Sequence, residues 1–323
     1  MLLDYLEENK NGQIIKIACG AGTQDPLYIE HFVRIYTMAG IRFFDISAHQ
    51  SSVDAARRGI EKANVKHDVY LNVSIGIPGD PHADKAMVKQ SKCVNCRKCY
   101  AVCPNEAIDT HPISCSVVYG RCVGCGKCQT VCPVGAITMY SEAKPAKEII
   151  PSLTGIDAVE LHMEGDIKYG IGQWAELEKC YSGPLSVHIN RRACGDKELL
   201  ETLHTLIDHR APWTTMIQAD GMSMRGGDGI NTTLQAIAIM QIIEAEHFPA
   251  YTIASGGTNE CTPYYMREFG IPFGGVAYGT YARNLVRGFL SKEDPFSSEV
   301  AIDAVIARIH SSIEEIEEAR PCL

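Results

Sequence analysis

Short apolar runs alternate with longer amphipathic stretches along almost the whole chain. The runs "IIKIACG" (14–20), "FFDIS" (43–47), "VYLNVSIG" (69–76), "AVELHM" (158–163), "LSVHIN" (185–190), "TTMIQADG" (214–221), "AYTIASGG" (250–257) and "FGGVAYG" (273–279) predict eight strands. Between them "YIEHFVRIYTMAG", "SSVDAARRGIEKA", "WAELEKCY", "DKELLETLHTLIDH", "TTLQAIAIMQIIEAE", "PYYMREFG" and "YARNLVRGFL" predict helices, with caps or glycines at their ends. Strand and helix in such alternation predict an α/β fold, a parallel (β/α)8 TIM-type barrel; a doubly wound open sheet is the alternative.

Within the predicted strands, alternate positions fall into two sets. Ile15 and Ile17, Phe44 and Ile46, Leu71 and Val73, Val159 and Leu161, Val187 and Ile189, and Met216 with Ala219 form an apolar set suited to a helix layer. The opposite set is polar: Lys16, Asp45, Ser47, Asn72, Ser74, Glu160, His162, His188, Asn190, Gln218 and Asp220. A purely structural barrel fills its interior with branched apolar side chains, because buried polar groups are costly without partners. The polar set therefore points to a ligand-binding lumen. A self-satisfied network, or pairs turned outward at strand ends, is the alternative. Lys16, His162, His188 and Asp220 are candidate catalytic groups, and Asn72 and Gln218 candidate contacts to a bound ring.

The alternation breaks at residues 85–142, where a different pattern takes over. Cys93, Cys96, Cys99 and Cys103 are followed by Pro104, and Cys122, Cys125, Cys128 and Cys132 by Pro133, each run reading C-x-x-C-x-x-C-x-x-x-C-P. Three closely spaced thiolates can wrap three corners of a cubic [4Fe-4S] cluster, and in two-cluster ferredoxins the fourth cysteine ligates the other cube. The expected ligand sets are thus Cys93, Cys96, Cys99 and Cys132 for one cluster, and Cys122, Cys125, Cys128 and Cys103 for the other. Zinc, which also takes C-x-x-C pairs, is the weaker reading. Gly124 and Gly126 flank the second loop where Asn95 and Arg97 flank the first, so the two sites should differ in potential. Cys115, between the runs, is either a spare thiol or a buried apolar residue. The domain plan is a barrel of 1–84 and 143–323 carrying a ferredoxin-like insertion at 85–142. An insertion after the third strand sits at the rim where such barrels place their chemistry, and "KPAKEIIPSLTG" supplies the third helix after it.

Two further stretches carry candidate chemistry. "SGGTN" (255–259) follows the seventh strand and "YGTYAR" (278–283) the eighth, the place where these barrels bind phosphate. Gly256, Gly257, Thr258, Gly279, Thr280 and Arg283 are the candidate phosphate contacts. "DGMSMRGGDGINTT" (220–233), with Arg225, Asp228 and Asn231, reads either as a cover over the mouth or as a solvated loop.

Composition narrows the partners. No run of about 18 apolar residues suggests a membrane span, and "MLLDYLEENKNGQ" lacks the basic start and apolar stretch of an export signal, so a cytoplasmic setting is expected. A net charge of -9 argues against nucleic acid and suits docking to a basic redox partner.

The chain resembles the cyanobacterial light-dependent period (LdpA) family of iron-sulfur proteins. The likeness lies in "IIKIACGAGTQDPLYIEHFVRIYTMAGIRFFDISA", the cysteine doublet, "QADGMSMRGGDGINTTLQAI", and "ASGGTN" with "GGVAYGTYARNL", spanning 14–290. The resemblance implies iron-sulfur clusters and redox input to a circadian clock. The residues themselves favour an oxidoreductase in which two [4Fe-4S] clusters feed a phosphate-bound cofactor, FMN for preference, or a small-molecule substrate at the mouth. A non-catalytic redox sensor and a ligand-binding lumen without electron transfer are the alternatives.

Overall fold

The computed structural model describes residues 1–191, 194–221, 230–271 and 274–313. Eight parallel strands close into a barrel: β1 (Asn11–Ala18), β2 (Phe43–Ser47), β3 (Tyr70–Gly76), then β8 (Ala158–His162), β9 (Leu185–Asn190), β10 (Thr215–Asp220), β11 (Tyr251–Ser255) and β12 (Gly274–Tyr278). The ring runs β1-β12-β11-β10-β9-β8-β3-β2, so β3 neighbours β8 even though a whole module separates them in sequence. Each predicted strand overlaps an observed one; β1 begins at Asn11 rather than 14.

Helices α2 (Pro26–Met38), α3 (Gln50–Ala63), α7 (Ile167–Cys180), α8 (Asp196–Ile207), α9 (Ile230–Ala245), α10 (Thr262–Glu268) and α11 (Thr280–Leu290) cover the barrel, and α12 (Glu299–Ser312) packs beside α11 and α2. Asp25 caps α2 by accepting from the N–H groups of Leu27 and Tyr28, and Asp166 caps α7 in the same way. The helix predicted after the insertion shrinks to one turn, α6 (Ala146–Ile149), followed by a 3-10 turn over Ile150–Ser152. Pro151 has no N–H with which to continue an α ladder.

Two apolar layers sandwich a polar one. The outer layer, between strands and helices, holds Ile17, Phe44, Ile46, Leu71, Val73, Val159, Leu161, Val187, Ile189, Ile217 and Ala219, with Ile15 packed against it. Met216 does not join it. It points inward with Ile14, Phe43, Tyr70, Ala158, Tyr251 and Ile253, and Leu2, Tyr5 and Leu6 of α1 (Leu2–Asn9) cap this inner cluster. The strand alternation puts Ile217 and Ala219 on one face, so Met216, one place out of step, must take the other. The barrel floor is thus plugged, and the polar residues lie above the plug.

The inserted stretch leaves from β3, so it stands at the C-terminal rim. β4 (Asp84–Val88) pairs antiparallel with β7 (Ile137–Ser141), and β5 (Ile108–Thr110) with β6 (Cys115–Val117). Short helices α4 (Lys98–Val102) and α5 (Lys127–Thr130) follow the two cysteine loops. Among the described residues no helix is long and apolar enough to cross a membrane.

Candidate functional site

The eight cysteines of the doublet line two cavities, and the division crosses between the runs. Cys93, Cys96, Cys99 and Cys132 face one small cavity, closed by Val88, Val134 and Ile137. Cys103, Cys122, Cys125 and Cys128 face a second of similar size, closed by Ala86, Ile108 and Met139. The fourth cysteine of each run is turned toward the other cavity because a short helix and a C-P step carry the chain across. Backbone N–H groups aim at the sulfurs: Ala107 N donates to Cys103 Sγ at 3.2 Å, Ala136 N to Cys132 Sγ at 3.2 Å and Ala86 N to Cys122 Sγ at 3.4 Å. Burial acts against a Cys132 thiolate, but the N–H groups of residues 134–137 outweigh it and hold that thiol below its ordinary range. Four sulfurs around an apolar cavity with N–H donors behind them fit an iron-sulfur cube.

Cys115 lines the first cavity as a fifth sulfur. Burial pushes its thiol up to about 11, with Cys99 and Cys93 adding to the rise, and its Sγ contacts Asn95 Oδ1 at 3.6 Å. Its burial in the module's apolar core agrees with the buried-residue alternative.

The second cavity sits against the barrel. The buried Lys85 ammonium donates to Gly22 O at 2.6 Å, Cys122 O at 2.7 Å and Tyr119 O at 3.2 Å, tying the β1–α2 loop to the cysteine loop. Gln24 N donates to Gly120 O at 2.7 Å across the same seam. Gly124, with φ of +73°, brings its backbone onto Pro81 O and Asp84 O, where a Cβ would strike both. The first cavity lies away from this seam, and its Cys96 is exposed.

Inside the barrel the polar set converges. Glu160 is its centre: Lys16 Nζ and Ser186 Oγ donate to Oε2 at 2.7 Å each, and Gln218 Nε2 donates to Oε1 at 2.7 Å, with Ser74 Oγ 3.2 Å from the same oxygen. His162 Nε2 lies 3.1 Å from the same Oε1. Burial opposes the Glu160 charge, but Lys16 and His162 outweigh it and hold the carboxyl well below its usual range. Asp45 accepts from Asn72 Nδ2 and Ser74 Oγ, both at 2.5 Å, and burial raises its carboxyl.

Above this layer the His162 and His188 rings stack at 4.2 Å. Burial works against a charge on His162, yet Glu160 and Asp80 raise it to about 9. Burial lowers His188 to about 4, only partly opposed by Asp220, whose Oδ2 is 3.5 Å from His188 Nε2. Two stacked imidazoles at the mouth are thus pushed in opposite directions by their surroundings. Lys16, His162, His188, Asp220, Asn72 and Gln218 all belong to this one network. Glu160 belongs to its centre although it was not singled out as a site residue. Asp80 and His82, from the turn after β3, complete the mouth and had no strand periodicity to mark them.

The expected phosphate residues divide. Gly279, Thr280 and Arg283 gather at the start of α11, where Arg283 donates to Thr280 Oγ1 at 2.9 Å and to Ala18 O at 3.2 Å. Thr258 donates to Ala277 O at 2.6 Å, and Gly257 O accepts from the Thr232 and Thr233 hydroxyls. Gly257, with φ of +82°, is held so close to Thr232 that a Cβ there would lie 2.5 Å from it. The Gly256–Gly257–Thr258 turn therefore has a packing role that accounts for its sequence. Of the expected cover, 222–229, including Arg225 and Asp228, lies outside the described residues, as does the Asn231 side chain.

Comparison with known proteins places the chain. Residues 152–319 match the family described as the Light dependent period A C-terminal domain, and residues 86–139 match the 4Fe-4S dicluster domain. Over 272 residues, covering 81% of this chain and 76% of the relative, it is 30% identical to Light dependent period A of Synechococcus elongatus. The chain belongs to the light-dependent period A family. The family match runs to residue 319, past residue 290 where the motif resemblance stops. As a member of that family with a 4Fe-4S dicluster domain, the chain is an iron-sulfur redox protein. Among solved structures, octameric ribulose-1,5-bisphosphate carboxylase/oxygenase from Pyrococcus horikoshii is similar at 11% identity, covering 95% of this chain and 60% of that one, with a TM-score of 0.46. Dihydrodipicolinate synthase from Bacillus clausii is similar at 13% identity, covering 96% and 81%, with a TM-score of 0.40.

Proposed function

We propose that this member of the light-dependent period A family is an oxidoreductase. In this reading Cys93, Cys96, Cys99 and Cys132 hold one [4Fe-4S] cluster and Cys103, Cys122, Cys125 and Cys128 a second. When bound, the clusters supply one-electron transfer. The observation that carries the reading is the seam at Lys85 and Gly124, which presses the second cysteine loop onto the barrel's first loop and the turn after β3. Electrons entering at the exposed first loop would leave beside the barrel mouth. FMN is the favoured acceptor there, with Gly279, Thr280 and Arg283 the residues suited to its phosphate and Gln218 and Asn72 to its ring. Lys16 and Glu160 fix the floor on which an acceptor would rest. Lys89, Lys92, Arg97 and Lys98 are all exposed around the first loop, so the redox partner favoured at that face is acidic, whatever the overall charge.

The test is protein purified without oxygen. A flavin spectrum beside the broad cluster absorbance, release of FMN on denaturation, and reoxidation of the reduced clusters by an added acceptor are the expected results. Denatured protein that releases no flavin or other organic phosphate would remove the flavoenzyme version. The Glu160 carboxylate is already engaged by Lys16, Ser186 and Gln218, which favours a second reading, a redox sensor that turns nothing over. In that case the clusters titrate reversibly, no acceptor reoxidises them catalytically, and partner affinity changes with cluster state.

A further inference from the structure

We propose that Asp80, His82 and His162 bind one divalent transition-metal ion at the barrel mouth, separate from the iron of the cysteine loops. One ligand atom from each of the three lies within 4.8 Å of the others. They come from two places: His162 ends β8, while Asp80 and His82 lie in the turn after β3 that carries the chain into the module.

The local structure explains how they are presented. Asp80 caps the 3-10 turn over Pro81–Ala83, its Oδ1 accepting from His82 N at 2.9 Å and lying 2.9 Å from His82 Nδ1. Its second oxygen, Oδ2, is fully buried and has no hydrogen-bond partner among the described residues. His162 Nδ1 is equally buried and equally without one, and the two atoms lie 3.5 Å apart. With His162 neutral, an anionic oxygen and a lone-pair nitrogen at that separation face each other with nothing between them, which is costly. A cation between them removes the cost.

The surroundings are those of a metal histidine. Glu160 Oε1 lies 3.1 Å from His162 Nε2, so that nitrogen carries the proton and the Nδ1 lone pair is directed to the ion. The His82 ring stands edge-on to His162 with centroids 4.5 Å apart. His188 lies outside the set but lines the same opening, and its Nδ1 also has no partner among the described residues. Two imidazoles and one carboxylate suit zinc or ferrous iron better than magnesium or calcium, which prefer all-oxygen shells. Three protein ligands leave a coordination position open, as in catalytic rather than structural sites. An ion there would polarise an oxygen of whatever acceptor occupies the mouth. That use rests on the oxidoreductase reading; occupancy of the site does not.

The alternative occupant is a proton on His162, which would make the group an ion cluster with no metal. The experiment is zinc binding to protein whose iron content has been measured. Chain loaded with clusters and dialysed against a weak chelator is equilibrated with Zn(II), then analysed for both metals and by zinc K-edge absorption. The expected result is one zinc per chain with a nitrogen and oxygen shell and no sulfur. His82→Gln, a change at the least buried of the three ligands, should weaken zinc binding by at least the 10- to 100-fold typical of disturbed metal sites, with iron unchanged. Asp80→Asn should do the same, and unchanged iron in either variant shows that the module has folded. No zinc retained by the parent chain, a sulfur shell, or full retention in His82→Gln would overturn the proposal. None of these readouts depends on flavin release or electron flow, so the site and the oxidoreductase reading fail separately.

Discussion

The two cysteine loops are copies of one sequence pattern, and they have been put to different structural uses. Both run through two left-handed positions: Asn95 and Arg97 at φ of +53° and +59° in the first loop, Gly124 and Gly126 at +73° and +72° in the second. The first loop faces solvent and can carry side chains there. Asn95, a residue that tolerates this conformation, uses its amide to hold the hairpin end, donating to His111 O and Pro112 O at 3.0 Å each. The second loop lies on the barrel and has no such room. The difference teaches that glycine at position 124 answers to the turn after β3 and the start of β4 rather than to the cysteines, since the first loop does without it.

Exchanging the two residues is the strongest way to break this comparison. Gly124→Asn gives the second loop the first loop's residue and should cost about 3 kcal/mol, the upper range for overpacking, because the new Cβ meets the Pro81 and Asp84 carbonyls. Urea unfolding followed by iron analysis should show a lower midpoint and selective loss of iron from the second loop. Wild-type behaviour would mean that the loop is not clamped to the barrel. Lys85→Met comes next. It strips three carbonyls of their buried donor while keeping the volume, at a cost of about 2 kcal/mol. Among the described residues the first loop has no equivalent tie, so its iron should be retained through both changes. Asn95→Gly loses two exposed amide bonds and should cost only about 1 kcal/mol, readable as a small midpoint shift with full iron.

The same contrast between local and long-range causes decides what could be read from the sequence. Strand periodicity is local, so eight strands and the inward turn of Lys16, Glu160, His162, His188, Gln218 and Asp220 were legible from residue order. Cysteine spacing is local too, and the crossed division of the cavities follows from the helix inside each run. Met216 departs from the expectation because it shares the parity of Gln218 and Asp220, not of Ala219, and its apolar side chain masks that; only the α1 plug reveals that the inward floor is apolar. Leu2, Tyr5 and Leu6 share one helical face, a signal that was present but easily lost in an acidic N-terminus. Asp80 and His82 had no such signal. They sit in a turn, and what makes them a site is the approach of β8, which is brought beside β3 by barrel closure across the whole inserted module. Lys85 was hidden for the same reason, since its three partners lie on two other segments.

Cys115 supplies the finest test of the comparison, because the corresponding place in the second cavity is held by Ala86. Cys132 Sγ accepts from Ala136 N just as Cys103 Sγ accepts from Ala107 N, so the loops agree on their fourth ligand and Cys115 is surplus to the pattern. Cys115→Ala should therefore leave iron at about eight atoms per chain and cost no more than about 1 kcal/mol, the centre of the range for single substitutions. Any change in cluster spectrum or potential should be confined to the first cavity, which the sulfur lines beside Cys93 and Cys99. Cys132→Ser, in contrast, should remove iron from that cavity. If the two outcomes are reversed, with iron lost in Cys115→Ala and kept in Cys132→Ser, then the fourth ligand has moved onto β6. The first cluster would then be held within its own half of the module, and only the second would still depend on the crossing.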